Sequence, residues 1–176
     1  MRFFAFAHEA HHMQETTSEI VQSNEVVQKG KSTAWLQWIG SFHLIFLHFP
    51  IALINMLAIS ELMRGLFKRK MFDFSSRFLI ISAAILTPLT SLLGLIYSFS
   101  FAYEGLMETF LFWHMWFGIS TAILTVIAAY IRERFGRTTT YLFCLILILL
   151  MVNITGFFGG GVTFGPDQMI PPYYLN

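Results

Sequence analysis

The sequence predicts an all-α integral membrane protein, a four-helix up-down bundle with both termini outside. Three observations carry this. The chain has 176 residues, of which 56% are apolar and 12% charged, against roughly 25% charged in an average soluble domain. Its twenty phenylalanines and mean hydropathy of +0.63 exceed what a soluble fold of this size hides behind a polar exterior. Four stretches also reach the length of about 20 apolar residues that a spanning helix needs. The same figures exclude a disordered chain, a collagen-like repeat and a disulfide-stapled scaffold, since there is one cysteine and glycine is sparse. A net charge of +1 gives no sign of a nucleic-acid partner.

Residues 1–34 read as a polar N-terminal arm. The opening MRFFAFA is too short for a signal-peptide apolar region, and His8 and Glu9 interrupt it, so a retained N-terminus is expected. The part from His8 to Lys31 is rich in Glu, Gln, Ser and Thr and suits either an exposed amphipathic helix or a flexible arm. Residues 35–165 form the transmembrane domain, with spans near residues 35–63, 78–99, 110–131 and 140–158. Short connections favour antiparallel neighbours. Residues 166–176 are a C-terminal tail, and no repeat of 20–50 residues is visible.

Orientation follows from the cations. The first loop region holds Arg64, Lys68, Arg69, Lys70 and Arg77, and the third holds Arg132, Arg134 and Arg137. The second has only Glu104 and Glu108, and no cation follows Phe158. The positive-inside rule then makes loops one and three cytoplasmic. The arm, with Arg2, Lys29 and Lys31, is a mild exception. Trp35, Trp38, Tyr173 and Tyr174 fall at the outer interface, where amphipathic rings are favoured.

Ionisable groups inside spans are costly and therefore functional candidates. Here they are His43, His48, Glu61 and His114. Glu61, close to Arg64 at the cytoplasmic end, reads as that cation's partner or as a side chain that snorkels to water. His43 lies 21 residues before Arg64, His48 lies 16 before it, and His114 lies 18 before Arg132. All three imidazoles thus share a level within about one and a half turns. A neutral imidazole is a good ligand for haem iron or another transition metal. The bland alternative is hydrogen bonding within the bundle.

The five-residue spacing of His43 and His48 separates them by about 140° around a helix, so one iron cannot easily take both. His48 shares a face with Ala52 and Asn55, whereas His43 shares one with Phe46, Leu47 and Ile54. A polar Asn is more tolerable toward the bundle than toward lipid. The expectation is therefore a bis-histidine site of His48 with His114, with His43 at its outer edge or in a second site. Gly118, Thr121 and Thr125 continue the His114 face, while Thr87, Ser91, Gly94 and Ser98 offer small side chains on span two. Asn55, Asn153, Thr121 and Tyr97 are candidates to support the ligands through hydrogen bonds. Small faces serve close helix packing equally well.

Other patterns carry less. His8, Glu9 and His12 satisfy HExxH, but at the extreme N-terminus no core supplies a third zinc ligand or a cleft, so solvated histidines are the simpler reading. Cys144 has no partner thiol in the chain and reads as an inert buried group. The run from Gly156 to Gly161 lacks the lysine of a phosphate-binding loop; its glycines are expected to end the helix and to allow close backbone approach. No CxxCH haem-attachment motif occurs, so any haem is held noncovalently.

FHLIFLHFPIAL in span one, WHMWFGI in span three and TGFFGGGVTFG closing span four resemble a bacterial family of four-helix membrane proteins of unknown function. That family carries HPxxVHFPIAL-like, mid-chain His and TGxxGGxxVxxxG-like signatures. The resemblance runs from about residue 42 to 165. Leu44 stands where the family often has proline, and FGPDQ replaces an HGVGV-like ending. Family members often occur fused to or beside Rieske iron–sulfur or c-type cytochrome modules. The resemblance therefore implies electron transfer at the outer membrane face with noncovalent haem b as cofactor. Residue by residue, His43 and His48 match the paired histidines and His114 the later one.

The resulting expectation is a haem b electron-transfer subunit in a bacterial inner membrane. It works within a larger respiratory or redox complex, beside other membrane subunits, a c-type cytochrome or Rieske partner, and a quinone. The competing expectation is a cofactor-free anchoring subunit. Transport is disfavoured by the scarcity of intramembrane charge.

Overall fold

A computed structural model describes Val27–Gln28, residues 34–165 and Met169. Five helices build the bundle: α1 (Ala34–Phe46), α2 (His48–Phe67), α3 (Lys70–Ser98), α4 (Leu106–Phe135) and α5 (Thr139–Phe164). Two short strands, β1 (Val27–Gln28) and β2 (Phe101–Ala102), pair antiparallel with Val27 opposite Ala102. The helices are longer than the apolar windows in the sequence because they run on through their charged ends.

α1 and α2 together make the first span, interrupted at Leu47. Pro50 has no N–H to give the Phe46 carbonyl, which loosens the turn there. Lys68 closes α2 in the left-handed region with φ of 52° and bonds back to Arg64. The Thr138 side chain caps α5 by accepting from the Tyr141 amide at 3.2 Å. Each span packs on the next in sequence, and α2 closes the ring against α5. Four antiparallel spans return the start of α1 and the end of α5 to the same end of the bundle.

Burial is reversed relative to a soluble bundle. The interior holds Ser76, Thr87, Thr90, Thr121 and Thr125 beside Ile54, Leu57, Ile80 and Ala128, while Phe78, Ile85, Trp116, Ile146 and Leu150 lie exposed. Lipid offers large apolar groups no reason to hide, and small side chains let helices approach closely.

The inward faces repeat. Moving 71 positions takes the buried Pro50, Ile54, Leu57 and Glu61 of α2 onto the buried Thr121, Thr125, Ala128 and Arg132 of α4. Moving 65 positions takes Ser76, Ile80, Ala83 and Thr87 of α3 onto Tyr141, Leu145, Ile148 and Val152 of α5. The bundle is thus two helical hairpins in an approximate two-fold relation, an arrangement common in membrane folds. Side-chain identity differs at every one of these eight pairs, so the repeat shows in burial and not in letters.

Candidate functional site

His43 on α1 and His114 on α4 are equivalent under the same 71-residue shift, and they meet. Their ring centroids lie 6.1 Å apart with an interplanar angle of 79°. Each ring is held by the following span in the same way. His43 Nδ1 is 2.8 Å from the Thr90 carbonyl oxygen, and His114 Nδ1 is 2.9 Å from that of Thr155. One turn on from each threonine is a glycine, Gly94 or Gly159, in the sequences TSLLG and TGFFG. A Cβ on Gly94 would lie 2.8 Å from the Nδ1 and Cε1 atoms of His43; on Gly159 it would lie 2.8 Å from Cε1 of His114. Only glycine leaves room for an imidazole against the helix backbone at that height.

A carbonyl can only accept, so Nδ1 of each neutral ring carries the hydrogen and Nε2 keeps its lone pair. This is the arrangement in which histidine ligates metals, with the backbone bond fixing tautomer and ring orientation. Among the described residues no group of three or more His, Cys, Asp or Glu is placed to hold a metal ion. The pair alone suits a group that brings its own remaining donors.

The structure distributes the other expected residues differently. His48 opens α2 on the exposed outer face, as does Ala52, so His114 is paired with His43 and not with His48. The preference for His48 took Asn55 to mark the inner face. Asn55 instead donates to the Ile51 carbonyl of its own helix at 2.7 Å and needs no partner across the bundle. Ile54, on the face shared with His43, is fully buried. Asn153 is exposed and, like Asn55, bonded within its own helix, to the Leu149 carbonyl. Gly118 lies one turn along from His114, and its carbonyl accepts from Ser91 Oγ of α3 at 3.3 Å. Thr121 is buried and bonds within α4. The Tyr97 backbone sits where a Cβ on Gly40 would be, 2.6 Å from its Cα. Cys144 is half-buried and free. The glycines from 156 to 161 do not end the helix. α5 continues to Phe164, because glycine in a helix flanked by tight neighbours trades its own flexibility for contact. Gly161 receives the Phe110 ring in the same manner as Gly159 receives His114. His8, His11 and His12 lie outside the described residues.

A second polar cluster occupies the opposite, basic end. Glu61, 3% exposed, accepts from Arg137 Nε at 2.7 Å and from the Tyr141 hydroxyl at 3.2 Å. Arg132 Nε approaches it to 4.0 Å, and Arg132 also pairs with Asp73 and lies over the Tyr141 ring. Arg64 pairs with Asp73 at 3.0 Å and not with Glu61. Residues three apart on a helix can pair, but the two oxygens of Glu61 are taken by Arg137 and Tyr141 and Arg64 turns to Asp73. Arg132, Tyr141 and Asp73 escaped the sequence reading, since cations and acids at span ends look like ordinary topology signals.

A family model described as predicted membrane protein (DUF2231) matches residues 40–166. The chain belongs to this family. It is a multi-pass membrane protein with four candidate spans. The DUF2231 match takes in both His–Thr–Gly arrangements and the whole charged cluster, and the three motifs quoted from the sequence all lie within it. No curated protein and no solved structure matches the chain.

Proposed function

We propose that this DUF2231 protein is a haem b-binding electron-transfer subunit of a bacterial cytoplasmic-membrane complex, with His43 and His114 as the residues that would hold the haem. The carrying observation is the pair of imidazoles from different spans, each with Nδ1 tied to a backbone carbonyl. The donor set fits. The two rings meet at 6.1 Å between centroids, and the carbonyl bonds at Nδ1 leave Nε2 of each as the nitrogen that could hold a metal. Two protein donors complete an iron whose macrocycle supplies the rest. The residues that hold and seat the two rings are small: Thr90 and Gly94 for His43, Thr155 and Gly159 for His114.

A bound haem b would supply one-electron iron chemistry. The chain's own contribution is to fix both imidazoles, strengthen them as donors through the two carbonyl bonds, and keep water away. Other membrane subunits, a quinone, and a c-type cytochrome or Rieske partner are the matching electron donors and acceptors.

The test is a reduced-minus-oxidised visible spectrum of the full chain purified with haem supplied. His43→Ala and His114→Ala each lose the bis-histidine band, whereas His48→Ala keeps it. Loss of the band in His48→Ala with retention in His43→Ala overturns the axial assignment. Absence of any band from the wild-type chain favours the second reading, a cofactor-free anchoring subunit. That reading is supported by the fact that both rings are already hydrogen-bonded and packed on glycine.

A further inference from the structure

At the basic end, a cavity of about 320 Å³ opens beside the turn between α2 and α3. Its wall carries five cations, Arg64, Lys68, Arg69, Lys70 and Arg137, and one carboxylate, Asp73. The charges do not cancel. Asp73 is already shared by Arg64 and Arg132, and Arg137 spends Nε on Glu61. Lys68, Arg69 and Lys70 make no ion pair among the described residues. Arg64 Nη1 is buried and has no hydrogen-bond partner among the described residues. A structure that concentrates uncompensated guanidinium and ammonium groups around a concave space, and leaves one buried donor unused, is short of an acceptor-rich anion.

We propose that this cavity binds a phosphate-bearing anion, either the headgroup of an anionic phospholipid or inorganic phosphate. Phosphate matches the planar fork of arginine and offers several acceptor oxygens to converging donors. The volume is at the small end of ligand sites, suited to one headgroup. α3 begins in the same wall at Lys70, and among the described residues no side chain caps its first turn, so the positive end of the helix faces this region. Leu66, Phe67, Met71 and Phe74 are exposed beside the cavity, an apolar surface on which acyl chains can lie. Basic pockets between spans are known to take lipid phosphates.

The test uses the full chain purified in detergent and the triple variant Lys68→Gln, Arg69→Gln, Lys70→Gln, which leaves every ion pair named above intact. The probes are phosphatidylglycerol in phosphatidylcholine vesicles, phosphatidylcholine vesicles alone, and inorganic phosphate. The control is Arg134→Gln, an exposed cation at the same end and outside the cavity wall. Removing three near-surface cations weakens binding roughly 100-fold, while the control stays within about twofold. Binding of the anionic lipid without phosphate assigns a headgroup, and binding of phosphate alone assigns the free ion. Equal losses in the triple variant and the control mean diffuse charge attraction and overturn the site. So does a wild-type chain that binds neither probe above phosphatidylcholine.

Discussion

At the residue scale the structure turns on glycines that accept rings. Gly94→Ala and Gly159→Ala place a methyl within 3 Å of imidazole atoms that are themselves held by a backbone bond. Each substitution is expected to destabilise the bundle by about 1–3 kcal/mol, the usual cost of overpacking. Gly156→Ala is the contrast, because a Cβ there meets nothing within 4 Å. It is expected to be neutral or stabilising by up to about 1 kcal/mol through helix propensity alone. Unfolding curves of the three variants in detergent check the order. Glu61 poses the opposite risk. Glu61→Ala leaves Arg137 and the buried Arg132 without their carboxylate, a loss expected to cost about 3–5 kcal/mol. A melting temperature equal to wild type would show that Asp73 alone neutralises the cluster.

At the scale of elements, the loops decide orientation. The turn between α2 and α3 and the turn between α4 and α5 lie at one end and carry the cations, while the connection between α3 and α4 has none. The positive-inside rule places that cation-free connection outside. A cysteine introduced at Glu104, in a background lacking Cys144, is expected to react with an impermeant thiol reagent added to intact cells. One at Lys68 is expected to react only after the membrane is opened. The reverse pattern would invert the protein and put the histidine pair in the cytoplasmic half.

At the scale of the whole molecule the two hairpins are near-equivalent units, each bringing one histidine and one Thr-x-x-x-Gly seat. The seats are exchanged within each hairpin: α3 holds His43 of its own hairpin, and α5 holds His114 of its own. Equivalent residues of the two hairpins meet in the ring pair and in the Glu61–Arg132 approach, and the bonds of Glu61 to Arg137 and Tyr141 and of Asp73 to Arg132 join the same halves. Each hairpin therefore carries its own internal packing. A chain divided between Tyr103 and Gly105 and expressed as two pieces is expected to co-purify as a complex, since spans that insert separately can still associate in the bilayer. Recovery of only one piece would mean that the covalent connection, and not the packed faces, holds the halves together.

Composition and the spacing of apolar stretches determined by themselves that this is a four-span helical membrane protein, because a bilayer admits few other solutions for such a chain. The three histidines and their shared level were legible for the same reason: distance along a helix translates directly into depth. The motifs around His43, His114 and the final glycines were enough to point to the family. Which histidine faces inward was not legible. Asn55 satisfied itself on its own helix and gave a false signal, whereas the Ile54 face is inner because it is shared with Pro50, Leu57 and Glu61. The partners of Glu61 and the seats of the two imidazoles were decided only by tertiary packing. They join residues 41 to 80 positions apart, on different helices or, for Arg137, on the turn between α4 and α5, and local sequence carries no record of which faces will meet. The two-fold relation was hidden for a related reason: what repeats is burial and height, and lipid-facing helices constrain those more strongly than the identity of any side chain.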